Sequence, residues 1–315
     1  MAKEKVLVTG GTGFLGSRVI DCLEKQNYEA SILSRSVDQR KEKLKSYKCD
    51  ITEKGSILEK AVQESDLVIH CAGKVSYNKK DADLLQRLHV DGTKNIVELC
   101  HEKGKKLIYT SSAAVLGISN SPYGSVEEQL PQIEEIKRIK SAYFTTKYIA
   151  ETGVRESGLD AIILRPSSLI GPGKTSTTRL LGFLKRGFEP CLNGGASFAY
   201  VDDVARAYVM ALKRIINPGK RQGKAEIYNL GGHNLTFNQL VKEAKKALGT
   251  RKIIKIPRIV NALAPLFVPS LITRENLRIM NYCFYVNSAK ARDELSYSLT
   301  PISNALKETA KCLCL

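Results

Sequence analysis

Residues 9–16 read TGGTGFLG, set between a short apolar strand and the start of a helix. Val6, Leu7 and Val8 have the unbroken apolar character of a strand buried on both faces of a parallel sheet. From Ser17 onward, Val19, Ile20 and Leu23 recur at helical spacing. Glycines at 10, 11, 13 and 16 allow a turn that residues with side chains cannot make. They also let backbone N–H groups approach a pyrophosphate at the positive end of the helix. In that strand–turn–helix setting the glycine spacing is a dinucleotide-binding fingerprint.

Working outward, the first half keeps alternating. Strands are expected at 30–33, 67–70, 106–109 and 161–164, and helices at 17–25, 57–65, 81–103 and 143–157. Such alternation predicts an α/β fold, a Rossmann-type doubly wound parallel sheet covered on both faces. After Arg165 the pattern loosens into Gly/Pro/Ser-rich turns, with helices expected again at 235–248 and 303–313. The expected division gives residues 1–165 to an NAD(P)-binding core, completed by segments near 199–212 and 226–232. Residues 166–198 and 233–315 are then a smaller substrate-binding lobe.

A chain of 315 residues, 43% hydrophobic, has room for one large domain or two small ones. Its eight cysteines form no CxxC pair and no zinc-ligand cluster, so no metal site is expected and the thiols read as reduced, in a cytoplasmic protein. The first strand begins too early to leave room for a signal peptide. The most apolar stretch, 259–272 (IVNALAPLFVPSLI), is too short for a membrane span and holds two prolines. It reads either as a buried helical flap over a substrate pocket or as an interfacial membrane segment. The net charge is +17, with lysine-rich runs at 40–48, 103–106, 137–140 and 242–255 spread over several elements. Aromatic residues are not interleaved with these runs, which argues against specific nucleic-acid binding. What remains is a solvated basic surface, or attraction to an anionic cofactor, substrate or membrane surface.

Tyr143 and Lys147 are four residues apart in SAYFTTK, which places them on one face of a helix. A phenol exchanges protons poorly near neutrality, and a neighbouring ammonium favours the phenolate. Lowering a tyrosine pKa by about 3 units takes roughly 4 kcal/mol, within reach of one cation in a low-dielectric cleft. The strand at 106–109 runs into Thr110, Ser111, Ser112 and Ala113 at its carboxyl end, where open α/β sheets bind ligands. A serine there can hydrogen-bond a substrate carbonyl while the tyrosine supplies the proton.

With these motifs the sequence resembles the extended short-chain dehydrogenase/reductases over essentially its whole length. The resemblance rests on TGGTGFLG, HCAG at 70–73, VDGTKN at 90–95, TSSAAVLG at 110–117 and YFTTK at 143–147. It continues through RPSSLIGPG at 165–173, YVDDVARA at 200–207 and YNLGG at 228–232. It implies that Ser112 is the catalytic serine, with Ser111 as the alternative. By the same resemblance Tyr143 is the general acid/base, and Lys147 tunes it and holds the nicotinamide ribose. Cofactor contacts are implied at Gly10, Thr12, Gly13, Phe14, Leu15 and Gly16 of the turn, at Asp50 and Ile51, at Ala72 and Gly73, and at Pro166. The family usually has asparagine before the V-x-G-T stretch, supporting a proton relay. His89 stands there instead, so the relay is expected to differ. Many relatives dimerise through two long helices, and 81–103 and 143–157 are the candidates for a homodimer.

NAD enzymes usually carry an acidic residue just after the second strand, for the ribose 2′-OH. Here the strand ends in Leu33, Ser34, Arg35 and Ser36. Arg35 suits a 2′-phosphate, so NADP is expected, with NAD as the alternative. Relatives acting on nucleotide sugars carry asparagine where Ser168 stands. The loop instead looks like the dihydroflavonol reductase and 3β-hydroxysteroid dehydrogenase branch. The expectation is an NADP-dependent oxidoreductase that interconverts a secondary alcohol and a ketone on a small hydrophobic substrate. The alternatives are a nucleotide-sugar epimerase or dehydratase with tightly bound NAD(P), and a non-catalytic nucleotide sensor.

Overall fold

In a computed structural model that describes residues 3–36, 43–119, 121–189, 193–217, 225–250, 254–256 and 274–313, strand and helix alternate from the start. The first half comprises β1 (Lys5–Thr9), α1 (Phe14–Lys25), β2 (Glu29–Ser34), β3 (Lys45–Lys48), α2 (Ser56–Gln63) and β4 (Leu67–His70). It continues with α3 (Ala82–Leu85), α4 (Gly92–Glu102), β5 (Lys106–Thr110), α5 (Ile133–Arg138), α6 (Ala142–Glu156) and β6 (Ala161–Pro166). Then come β7 (Ser168–Ile170), α7 (Ser176–Lys185), β8 (Phe188–Glu189), β9 (Gly195–Tyr200), α8 (Val201–Ile216) and β10 (Glu226–Leu230). The chain ends with β11 (His233–Thr236), α9 (Phe237–Leu248), β12 (Ile254–Lys255), α10 (Arg274–Ile279), β13 (Cys283–Phe284), α11 (Ala289–Leu295) and α12 (Ile302–Lys311).

Seven of these strands form one parallel sheet in the order β10-β6-β5-β4-β1-β2-β3. Alternate residues of each strand feed opposite layers. Val6, Val8, Ile69 and Ile162 pack beneath α1 and α8, against Ile20, Leu23, Val204 and Leu212. Leu7, Val68, Leu107 and Ile163 pack on the other face against Leu58, Ile96, Leu99 and Val154 of α2, α4 and α6. Each fully buried side chain of this size contributes about 1.5–3 kcal/mol. Strand order reverses between β1 and β4, and a doubly wound sheet opens its ligand crevice at the carboxyl ends of such a pair.

A second, four-stranded sheet is built on β9, which pairs with β7, β11 and β13, and α7, α9 and α12 pack around it. Several expectations change here. The 81–103 helix is present as one continuous rod, but a π-helical turn, Gln86–Asp91, is inserted between α3 and α4. Residues 233–236, expected to open into a helix at 235, are strand β11. A capping box explains this: Thr236 Oγ1 accepts the Gln239 N–H, and Gln239 Oε1 accepts the Thr236 N–H. Helix α9 therefore cannot begin before Phe237. β9 belongs to the small sheet, whereas α8 covers the large one. α11, expected in the lobe, lies instead against the large sheet's layer, with Ala291 and Leu295 in the core that holds Val204 and Tyr228. The stretch 259–272 lies outside the described residues. Among the described residues no helix is long and apolar enough to cross a membrane, and no group of three His, Cys, Asp or Glu could hold a metal.

Candidate active site

The turn after β1 is forced by contact. Gly10 has φ +68°, and a β-carbon on it would sit 2.7 Å from the Cα of Ala72, just past β4. A β-carbon on Gly16 would collide with the Gly10 carbonyl oxygen, which already accepts the Gly13 N–H at 2.9 Å. No side chain caps α1, so the N–H groups of its first turn remain for an anion at the positive helix end. This cradle fits the pyrophosphate of a dinucleotide. Thr12 and Leu15 lie half-buried in the turn and the start of α1. The Phe14 ring packs on the loop after β7, where a Gly173 β-carbon would be 2.9 Å from it.

The rest of the crevice follows the strand ends. Arg35 is exposed just beyond β2. Beyond β3, Asp50 Oδ1 accepts the Thr52 N–H and hydroxyl at 3.0 and 2.9 Å. Ile51 is buried against Gly92, and Asn95 Nδ2 donates to its carbonyl at 2.9 Å, tying this turn to α4. The Ala72 N–H donates to Thr9 Oγ1 at 3.2 Å, and that hydroxyl shares a 2.6 Å hydrogen bond with His70 Nδ1. Pro166 closes β6, paired with Leu230.

Beyond β5 the chemistry-bearing side chains converge. Tyr143 Oη donates to Ser112 Oγ at 3.2 Å, and Ser112 Oγ also accepts the Ala114 N–H at 3.2 Å. Burial pushes the Tyr143 phenol up, and the Ser112 hydrogen bond opposes that rise. Lys147 Nζ donates to the Thr110 carbonyl at 2.9 Å and lies 5.4 Å from the centre of the Tyr109 ring. Burial lowers the Lys147 ammonium to about 8, against the pull of Cys71 and Glu151. Ser111 turns the other way and donates to Glu151 Oε2 at 2.5 Å. Of the two serines, Ser112 is therefore the one that faces Tyr143.

The family model for the NAD dependent epimerase/dehydratase family matches residues 6–231. The chain belongs to that family. Within it, the chain is 27% identical to a putative dihydroflavonol 4-reductase of a Synechocystis strain, over 96% of this chain and 92% of that protein. It is 26% identical to 3beta-hydroxysteroid-dehydrogenase/decarboxylase isoform 1 of Arabidopsis thaliana, over 96% and 78%. Among solved structures, gox2253 superposes with a TM-score of 0.80 at 25% identity, covering 99% of this chain and 98% of that one. The NAD complex of a Thermus thermophilus UDP-glucose 4-epimerase shares the fold at a TM-score of 0.75 and 20% identity, over 98% and 99%. This member of the epimerase/dehydratase family is an NAD(P)-dependent enzyme of the extended short-chain dehydrogenase/reductase type.

Two features of this family member were not legible in its sequence. One is a fully buried network behind the serines, in which Arg165 pairs with Glu151 and donates to the Glu127 carbonyl at 3.1 Å. The other is the setting of His89. The π-helical turn swings its ring inward, edge-on to Tyr143 with ring centres 5.7 Å apart. Only its departure from asparagine marked it beforehand.

Proposed function

We propose that this enzyme uses NADP to interconvert a secondary alcohol and a ketone on a small hydrophobic substrate. The reading rests on the Tyr143–Ser112 pair at the carboxyl end of β5. The oxygen of Ser112 accepts from both Tyr143 and Ala114, so its own proton is left to donate to a substrate carbonyl. Tyr143, held as a neutral phenol, gives its proton to that oxygen as the carbonyl is reduced, and takes it back in the reverse direction. Lys147 keeps a positive charge beside the crevice, where it stabilises the tyrosinate left behind. The bound nicotinamide supplies or accepts the hydride. The turn at 10–16 would hold its pyrophosphate, Asp50 its adenine end, and Arg35 a 2′-phosphate.

Apolar side chains packed beside Tyr143, and others exposed in the loops after β4 and β5, support a hydrophobic substrate. Tyr77 meets Tyr143 edge-on at 5.6 Å, and Phe284 packs on Phe144 at 5.4 Å. Val75, after β4, and Ile118, just past the serine turn, stay exposed. The test is NADPH oxidation, followed by absorbance, against steroid-, flavonoid- and keto-acyl-like ketones and UDP- and GDP-sugars. Turnover of a hydrophobic ketone is expected. Conversion of a nucleotide sugar, with a dinucleotide that co-purifies and does not exchange, would overturn the reading in favour of an epimerase or dehydratase.

A further inference from the structure

His89 is fully buried, and the hydrogen bonds around it leave one consistent arrangement of protons. The Thr146 hydroxyl donates to the Ala142 carbonyl at 2.8 Å, so toward His89 Nδ1, 2.9 Å away, it must accept. Nδ1 therefore carries the imidazole proton. Nε2 is left with a lone pair, which accepts the Lys74 N–H at 3.2 Å. The imidazole thus bridges two pieces of backbone that no other described hydrogen bond joins directly. One is α6, between Tyr143 and Lys147. The other is the loop after β4, where a β-carbon on Gly73 would lie 3.6 Å from both His89 Nε2 and Lys147 Nζ.

We propose that His89 is a positioning residue. It holds the crevice floor at Gly73 and Lys74 at a fixed height against the helix that carries Tyr143 and Lys147. A π-helical turn costs regular hydrogen bonding, and such turns are found where a side chain must be aimed. Here the turn Gln86–Asp91 aims the imidazole. The bridge needs both nitrogens in the neutral form, because a proton on Nε2 would face the Lys74 N–H donor. This inference rests on reading the crevice as a dinucleotide site.

Two substitutions separate the arms of the bridge. Asparagine ends at the depth of Nδ1 and can reach only Thr146; glutamine ends at the depth of Nε2 and can still accept from Lys74. Titration of each variant with NADPH and with NADH by nucleotide fluorescence reads the floor directly, without a known substrate. H89Q is expected to keep Kd within about twofold, and H89N to raise it about fivefold or more, the factor of one lost hydrogen bond. Where a substrate is in hand, H89N should raise the cofactor KM by the same factor, and H89Q should restore it. Thr146→Val, which keeps shape but removes the acceptor for Nδ1, is expected to raise Kd as well. Equal Kd values for H89N and H89Q, or a wild-type Kd for Thr146→Val, would overturn the assignment. If wild-type protein binds neither nucleotide, the cofactor reading itself has failed, and that result is distinct from a missing difference between variants.

Discussion

Arg165 and Glu151 form an ion pair from which water is excluded: Nη2 donates to Oε1 at 2.5 Å and Nε to Oε2 at 3.0 Å, with both side chains at most 1% exposed. The pair fastens β6 to α6, Ser111 also donates to the carboxylate, and the guanidinium also donates to the Glu127 carbonyl. Removing one partner leaves a buried charge alone, which costs about 3–5 kcal/mol. Arg165→Leu or Glu151→Leu should therefore lower the urea midpoint sharply. The double variant should lose less than either single one. Singles within about 1 kcal/mol of wild type would contradict this.

Tyr143→Phe should lower turnover by about 10² or more, the usual yield of general acid catalysis, while NADPH affinity stays near wild type. Ser112→Ala should act in the same direction, because it removes the donor aimed at the substrate oxygen. Single-turnover rates with saturating cofactor measure both. Full activity in Tyr143→Phe would exclude the mechanism.

Lys147 gives a pH signature. Its folded value, about 8, lies below the ordinary lysine value of 10.5, and burial is the main cause. Reduction should thus be level up to about pH 8 and decline above it, as the charge beside Tyr143 is lost. The same shift carries a stability cost. Below about pH 8 the ammonium is protonated in both folded and unfolded chains, and the folded one bears the penalty of burial. Lys147→Met should raise Tm by about 2 °C or more at neutral pH while abolishing turnover. A Tm that falls would show that the Thr110 carbonyl bond outweighs the burial.

Arg35→Ala should weaken NADPH binding by about tenfold or more, the value of a charge-assisted hydrogen bond, and leave NADH nearly unchanged. Comparable losses for both nucleotides would mean that Arg35 does not discriminate a 2′-phosphate.

Acid should unfold this protein partly through its buried imidazoles. Burial lowers His70 to about 3 and His89 to about 2, each with help from the Lys147 charge, against an ordinary 6.5. Unfolded chains take up these protons below about pH 6.5 and folded chains do not, so stability falls as pH drops through that range. Each histidine contributes about 1.4 kcal/mol per pH unit. Urea midpoints between pH 6.5 and 4.5 should decline less steeply in His89→Gln, by roughly half if these two groups dominate. An unchanged slope would count against a neutral buried His89.

What the sequence disclosed and what it withheld have physical reasons. β1, β4 and β6 are legible because strands covered on both faces must be apolar at nearly every position. β3 reads KSYK and turns only Tyr47 inward, so no run of apolar residues announces this edge strand. The helix expected at 81–103 has continuous helical periodicity. The π turn adds a residue to one turn and shifts the phase, which a fixed period of 3.6 cannot register. In the site, the spacing of Tyr143 and Lys147 gave their shared face. Which of Ser111 and Ser112 faces Tyr143 depends on Glu151 and Arg165, which draw Ser111 away. Chain order alone puts α11 in the lobe, and it is a poor guide once the polypeptide crosses between sheets and returns.

The strand that finishes the large sheet, β10, is made long after its neighbour β6, with β7, β9 and α8 synthesised in between. A chain leaving the ribosome must therefore hold its nucleotide fold unfinished, with the rim of β6 open to any other strand, until residue 230 is free of the exit tunnel. For the same reason, residues 1–165 would make a poor stand-alone fragment. They lack not only β10 but also α8, whose Val204, Tyr208 and Leu212 cover one face of the sheet together with α1. The two halves of this molecule share a sheet, so neither can be handed to a different partner by cutting at the point where the motif pattern changes.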